Sequence, residues 1–420
     1  MAFSFIHTGD LHLDSPLAGL AKHEDERART VSAASRRAFS ALCDEAIARA
    51  VDAFLIAGDL WDGEWRDVDV AHFVQQQAGR LRGAGIPVLA ILGNHDAQSR
   101  MRDRLRALDA VHFFPSGTPT SVEVGPATVH GVSFDRPAVS ENLALKFPPA
   151  IPGRFNIGLL HTSLNGDVQG TYAPCRPADL DAKGYDYWAL GHVHTRAIMG
   201  DVRPASRGGT AAYCGVLQGR HVRETGRKGA YAVTLSEGAA PHLDEIDVAP
   251  VGWQDLAVDV SGGEAIASVR AALEGLAGEL TEDLGMVRVR LTGTSADHFR
   301  HHARSAELAR EVGVMAAGLA AGRIVIEDVR VETRPPSDAP PPLPAHFEAV
   351  LLEAAGDDDL AAGLAPDLQD ILNEASLGTT PQALRELLPG LGDFEDRADL
   401  KRLLADAAAD VAAKLSEGEG

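Results

Sequence analysis

The chain has 420 residues, 45% of them apolar, and a formal net charge of −21. That length and apolar share build two or three globular domains, and no apolar run reaches the about 18 residues a membrane-spanning helix needs. Cys43, Cys175 and Cys214 are odd in number and far apart, which excludes a disulfide framework and cysteine zinc spacing.

The opening, Met1-Ala2-Phe3-Ser4-Phe5-Ile6, lacks the basic-then-apolar layout of a signal peptide, so a cytoplasmic protein is expected. The net charge argues at first against a nucleic-acid partner, yet it is unevenly divided. Residues 1–245 hold 25 Lys+Arg against 28 Asp+Glu, a net of −3. Residues 246–335 hold 9 against 14, a net of −5. Residues 336–420 hold 5 against 18, so this segment alone carries −13.

Residues 3–7 read as a buried first strand, ending in Gly9-Asp10-Leu11-His12-Leu13-Asp14. Apolar spacing predicts a helix over 33–50. A strand over 52–57 follows, ending in Gly58-Asp59-Leu60-Trp61-Asp62. A second helix over 67–83 leads to the apolar run 87–92, which ends in Gly93-Asn94-His95-Asp96. Strand and helix alternating in this way predict βαβ units around a parallel sheet. After residue 110 short strands are expected at 121–124, 127–133, 155–160, 185–190, 210–214 and 229–236. Two of these end in chemistry: residues 156–160 in His161, and 185–190 in Gly191-His192-Val193-His194. The class expected for residues 1–245 is α/β (α+β, four-layer): two sheets flanked by helices.

From Trp253 the pattern is strand, helix (264–279), strand (286–292), helix (297–311), strand (323–333). This predicts a small α/β domain over 246–335. A Pro-rich linker over 336–344 reads as extended, and 345–420 as an acidic, helical C-terminal region.

The strand ends bring together Asp10, His12, Asp59, Asn94, His161, His192 and His194. Carboxylate, imidazole and amide oxygen suit Mn²⁺, Fe or Zn²⁺ better than Ca²⁺. Seven donors exceed one transition-metal shell and suit two divalent ions sharing a carboxylate, about 3.5–4 Å apart, as in phosphoryl-transfer sites. Asp59 is the expected bridge, and the pair is expected to activate the attacking water. His95 adjoins Asn94 without being needed as a donor. It is expected to face the phosphate and help protonate the departing oxygen, with Asp62 orienting its ring. Each motif alone is an ordinary turn or surface pair; five in order, each closing an apolar strand, are not.

Asp-x-His, Gly-Asp-x-x-Asp, Gly-Asn-His-Asp, a lone strand-end His and Gly-His-x-His together resemble the signature of calcineurin-like metallophosphoesterases. Within them the chain is most similar to DNA repair exonucleases of the SbcD and YhaO type. The stretch from His7 to Leu17 carries that likeness, as does Tyr213 to His221 with Glu224, Gly226, Lys228 and Gly229. The resemblance covers about residues 1–335. It implies that Asp10, His12, Asp59 and His194 hold one metal, most fittingly Mn²⁺, and that Asp59, Asn94, His161 and His192 hold the other. It further implies a two-metal DNA exonuclease, with endonuclease action also open, in which the small domain caps the site and helps place DNA. A homodimer and an SMC-like ATPase partner are implied as well, while the lack of a long apolar run predicts no membrane association.

Arg220, His221, Arg223, Arg227 and Lys228 form a basic cluster read as phosphate contacts. Arg100, Arg102, Arg104 and Arg106 read equally as a solvated or dimer face and as a phosphate-contacting row. His298, His301 and His302 are expected on a surface helix, Trp61 and Trp65 in packing, and Asp14 in a turn. Two other functions stay open: a phosphodiesterase or phosphatase for small nucleotides or phosphoproteins, and a metal-bound but catalytically idle scaffold that recruits an ATPase.

Overall fold

The computed structural model describes residues 1–15, 33–61, 68–98, 108–164, 172–199 and 209–336. Asp62, Trp65, the arginines at 100, 102, 104 and 106, nearly all of the Pro-rich linker and the acidic 345–420 region lie outside the described residues. The chain divides into two compact units with the boundary between Gly252 and Trp253.

The first unit begins with β1 (Ala2–Thr8), α1 (Ala34–Ala48), β2 (Ala53–Ile56), α2 (Val68–Gly83), β3 (Val88–Ala90), α3 (Asn94–Gln98) and β4 (Val111–Phe113). It continues with β5 (Thr120–Val124), β6 (Ala127–Gly131), β7 (Phe155–His161), α4 (Pro177–Asp181), β8 (Tyr187–Gly191), β9 (Ala197–Met199), β10 (Thr210–Tyr213), β11 (Gly229–Ser236) and β12 (His242–Asp247). Two six-stranded sheets result, ordered β12-β11-β1-β2-β3-β4 and β5-β6-β7-β8-β10-β9. Each has a parallel centre, β1 to β4 in one and β6, β7, β8 and β10 in the other, edged by antiparallel strands.

Strands buried on both faces are apolar throughout, and β2 shows why. Phe54 and Ile56 face α1 and α2, packing with Phe39, Leu42, Val74 and Leu81. Leu55 faces the other sheet and joins Phe3, Phe5, Ile157, Leu159, Tyr187 and Ala189 between the two. On the far side of the second sheet, Trp188, Leu190 and Tyr213 pack under Leu143, Phe147 and Leu180. The layers are therefore helix, sheet, sheet and helix, the expected architecture. Strands β4, β9 and β12 have no counterpart in the sequence reading. The last of them, with four of its six residues exposed or charged, is an edge strand whose polarity hides it.

In the second unit β13 (Val251–Asp259), β14 (Leu284–Thr292) and β15 (Ile324–Val331) form a three-stranded sheet in that order. Helices α5 (Ala265–Glu279) and α7 (Ser305–Ala317) cover it through Val269, Leu273, Leu308 and Val312, against Val287, Val289 and Leu291. Arg290 on the outer-facing register donates to Asp255 on β13 (2.8 Å) and to Glu332 just past the end of β15 (2.9 Å).

Two expectations need correction here. The single helix over 297–311 is two, α6 (His298–Ala303) and α7, separated at Arg304, whose ψ of 25° leaves the helical well. Nor are His298 and His301 surface residues, although His302 is partly exposed. His298 and His301 are each 9% exposed, and His298 Nδ1 lies 3.0 Å from the Thr333 hydroxyl. A histidine with a hydroxyl partner is readily buried neutral, which a polar count along the sequence does not reveal.

Candidate metal centre

Parallel strands place their carboxyl ends on one rim, where open α/β sheets bind ligands. The turn after β1 is stitched to the turn after β2 by backbone bonds, Asp10 N to Gly58 O (2.9 Å) and His12 N to Asp59 O (3.1 Å). The turn after β8 joins them, with the His192 N–H donating to both Asp10 carboxylate oxygens at 3.0 and 3.2 Å. His95 N–H donates to Asp59 Oδ1 at 3.0 Å. The two sheets thus meet at their loops through carboxylates that the strand ends supply.

Four site residues adopt left-handed backbone: Asp10 (φ 47°), His12 (φ 40°), Asp59 (φ 50°) and His192 (φ 102°). Side chains other than glycine rarely accept this, and such strain gathers at functional sites. Glycine is required nearby for a different reason. A Cβ on Gly93 would lie 2.2 Å from Asp59 Oδ1, and one on Gly191 would lie 2.0 Å from Ala57 O.

Side-chain donors from separate strands converge in two overlapping groups, Asp10 with His12 and His194, and Asp10 with Asp59 and His161. Within each group the donor atoms lie within 4.8 Å of one another. Asp59 Oδ2 is 3.4 Å from His161 Nε2 and 4.0 Å from His12 Nε2, so it reaches toward both. Asn94 Oδ1 is 2.9 Å from His161 Nε2. The His192 ring stands outside both groups, its centroid 5.3 Å from that of His161, and packs against Tyr172. His95 sits edge-on to His12 with ring centroids 4.9 Å apart.

The arrangement fits divalent cations. His161 Nδ1 donates to Ala57 O at 2.9 Å, so its Nε2 faces two acceptor oxygens. His194 Nδ1 meets Glu224 Oε1 at 2.6 Å, which turns its Nε2 toward His12 Nε2 at 3.2 Å. Lone pairs facing one another in a buried cluster call for positive charge between them. Asp10, His12, Asp59 and His161 are all at most 1% exposed.

Their ionisation follows from the same crowding. Burial pushes the Asp10 carboxyl above its ordinary range. Burial also opposes ionisation of Asp59, but His161, His12 and His95 outweigh it and hold that carboxyl low. Burial disfavours the charge on His161, yet Asp59 and Asp10 lift its pKa to about 9.

A family model described as calcineurin-like phosphoesterase matches residues 3–196, and one described as the middle domain of metallophosphoesterase YhaO matches residues 253–334. The metallophosphoesterase YhaO of Bacillus subtilis is 33% identical over 295 residues, covering 69% of this chain and 71% of that one. The chain belongs to the calcineurin-like metallophosphoesterases. As a member it is a phosphoester hydrolase. This metallophosphoesterase also resembles the DNA double-strand break repair protein Mre11 of Aeropyrum pernix, at 30% identity over 279 residues, 62% of this chain and 64% of that one. The Mre11 protein of Sulfurisphaera tokodaii matches at 29% over 200 residues, 46% and 49% of the two chains. The match therefore spans less than two thirds of the length of either Mre11 protein.

Two buried carboxylates of the metallophosphoesterase site escaped the sequence reading as contributors. Asp96 accepts from the backbone N–H groups of Gly93 (2.9 Å), Leu60 (2.9 Å) and Trp61 (3.3 Å), which locks the second motif's turn onto the third. Burial and the Asp59 charge raise its pKa to about 7. Glu224 is 6% exposed and meets His194; burial opposes its charge, but the His194 contact and Arg220 hold its pKa down to about 2. Glu224 lies in the stretch that carries the family likeness, but it stands 30 residues from His194 and no spacing rule links the two.

The basic cluster is divided by the fold. Lys228 is buried, Arg227 pairs with Asp247 at 3.2 Å, and the Arg220 side chain, 18% exposed, turns to Glu224. His221 is partly exposed and Arg223 is exposed. Asp14 accepts from Arg36 Nε at 2.8 and 2.9 Å, away from the donor groups, and Trp61 is buried in the helix-side core.

Proposed function

We propose that this metallophosphoesterase is a two-metal DNA nuclease of the exonuclease type acting in repair, with endonuclease action also open to it. The observation that carries the reading is the convergence of Asp10, His12, Asp59, Asn94, His161 and His194 from five strand ends into one cluster, four of the six buried. Similarity to the DNA double-strand break repair protein Mre11 supports DNA as the substrate class.

In this reading Asp10, His12, Asp59 and His194 hold one ion, and Asp59, Asn94, His161 and His192 the other, with Asp59 shared. Mn²⁺ is the ion of choice, with Fe and Zn²⁺ the alternatives. Two divalent ions there supply Lewis acidity toward the phosphodiester and an activated water. The protein's own work is orientation. Ala57 O fixes the His161 tautomer, the His192 and His95 N–H groups fix the Asp10 and Asp59 carboxylates, and the glycines let the turns close. His95, beside His12 and outside the donor groups, contacts the scissile phosphate and gives a proton to the departing oxygen. Asp62 orients the His95 ring, and Arg223 with its basic neighbours contacts DNA phosphates. The second unit helps place the strand. Homodimerisation and an SMC-like ATPase partner complete the proposal.

Purified protein with Mn²⁺ should cleave labelled single- or double-stranded DNA as well as bis-p-nitrophenyl phosphate, and chelation should abolish both reactions. Hydrolysis of the small diester with no cleavage of either DNA would leave a small-substrate phosphodiesterase. Gel filtration with light scattering tests the dimer.

A further inference from the structure

We infer that Glu224 is the positioning residue for His194, and that it sets the strength of only one of the two metal positions. The inference rests on the two-metal reading above. His194 lies in the loop between β8 and β9, with a side chain 26% exposed, so no strand packing fixes its ring. A partly exposed imidazole on a loop can turn over and can carry its proton on either nitrogen. The contact of Glu224 Oε1 with His194 Nδ1 at 2.6 Å removes both freedoms. A carboxylate accepts only, so the Nδ1 proton is fixed in that bond and the Nε2 lone pair points to His12 and Asp10.

Glu224 is itself held from its other oxygen. The Arg220 backbone N–H donates to Oε2 at 2.7 Å, and the Arg220 guanidinium stands 3.5 Å from Oε1. The Glu224 N–H donates to His221 O at 2.9 Å, closing the turn that carries the carboxylate. The basic cluster thus serves the site partly from behind, through Arg220. His161 is oriented differently, by the neutral Ala57 carbonyl at 2.9 Å. A charged partner makes His194 the more electron-rich donor, while His161 depends on nothing in the Glu224 loop. Loss of Glu224 should therefore be felt at one metal position and not at the other.

The test uses the full chain and Mn²⁺ alone, with the two affinities resolved by calorimetry and by electron paramagnetic resonance of bound Mn²⁺. Glu224→Ala should weaken one position by ~10–100-fold, the usual effect of removing the partner of a ligating histidine, and leave the other unchanged. Glu224→Gln keeps the shape and an accepting oxygen, and should show a smaller loss at the same position, on the order of tenfold. In the metal-free protein, nitrogen NMR should show the Nδ1–H form of His194 in the wild type and mixed tautomers in Glu224→Ala. Unchanged affinities in both variants overturn the inference, as does equal weakening of both positions. If Glu224→Ala fails to fold, Glu224→Gln decides by the same criterion. His194→Ala separates the two levels: if it keeps both Mn²⁺ ions, the ligand assignment of His194 in the two-metal reading falls, and the inference with it. If it loses one while the Glu224 variants lose none, only the role of Glu224 falls.

Discussion

At the scale of the residue, the proposed function assigns ligation and proton transfer to different side chains. Asp59 reaches both His12 and His161, so Asp59→Ala should lose bound metal as well as rate, and elemental analysis finding two full equivalents would refute its bridging place. His95 lies outside the donor groups. His95→Asn should keep both metals and lose ~10²–10⁴-fold in cleavage rate, the range expected of acid–base catalysis; near wild-type turnover would dismiss it as the proton donor. A third residue speaks to stability. His7 is fully buried between the sheets, its Nδ1 2.9 Å from the Tyr187 hydroxyl and its Nε2 3.2 Å from Leu190 O. Burial lowers its pKa to about 3, below the unfolded value of 6.5. The unfolded chain therefore takes up a proton that the folded one refuses. Stability is intact above pH 6.5 and falls as pH drops toward 3, by as much as a few kcal/mol. Melting curves at stepped pH should show His7→Gln losing less stability on acidification than the wild type.

At the scale of the element, strand ends and turns matter more than strand interiors. The Gly93 turn between β3 and α3 leaves no room for a methyl group, since its Cβ would meet Asp59 Oδ1 at 2.2 Å and Asp59 N at 2.8 Å. Gly93→Ala should displace Asp59, reduce bound Mn²⁺ and cost ~1–3 kcal/mol of stability, as overpacking does. Gly79, inside α2, has open space where a Cβ would stand. Gly79→Ala should stabilise by roughly 0.5–1 kcal/mol and leave metal binding untouched. Thermal melting with metal analysis on the pair checks whether glycine acts here through space or through flexibility. Most elements of the first unit were legible because buried strands are continuous apolar runs and α1 and α2 carry one apolar face each. Strand β12 and the break at Arg304 were not. Edge position and a single dihedral decide them, and neither leaves a periodic trace.

At the scale of the whole molecule, charge is segregated along the chain. Residues 336–420 carry −13 of the −21, and residues 1–245 only −3. Charges more than about 8–10 Å apart are largely screened at ordinary salt, so this segment need not oppose a polyanion held by the first unit. We predict that truncation after Pro335 retains Mn²⁺-dependent cleavage. DNA affinity should stay equal or rise modestly, with the difference shrinking as salt increases. A truncated protein that melts normally but no longer cleaves would show that the acidic segment belongs to the catalytic machinery. A collapse in melting temperature would show instead that it stabilises the units before it.

The sequence by itself determined the strand–helix alternation, the four-layer class and the family. It also named the groups that meet at the rim, because each closes an apolar strand and a parallel sheet sends such ends to one side. Only the tertiary structure decided how they meet. It put the His192 N–H on Asp10, turned His161 by the Ala57 carbonyl and His194 by Glu224, and locked the second and third motifs through Asp96. It also divided the basic cluster: Arg223 and His221 reach the surface unburied, Arg227 is exposed but paired with Asp247, and Arg220 and Lys228 are drawn into the protein. The physical reason is one of range. Periodicity and motif spacing report what neighbours along the chain do, whereas a carboxylate 30 residues from its imidazole is placed by packing that no local pattern encodes.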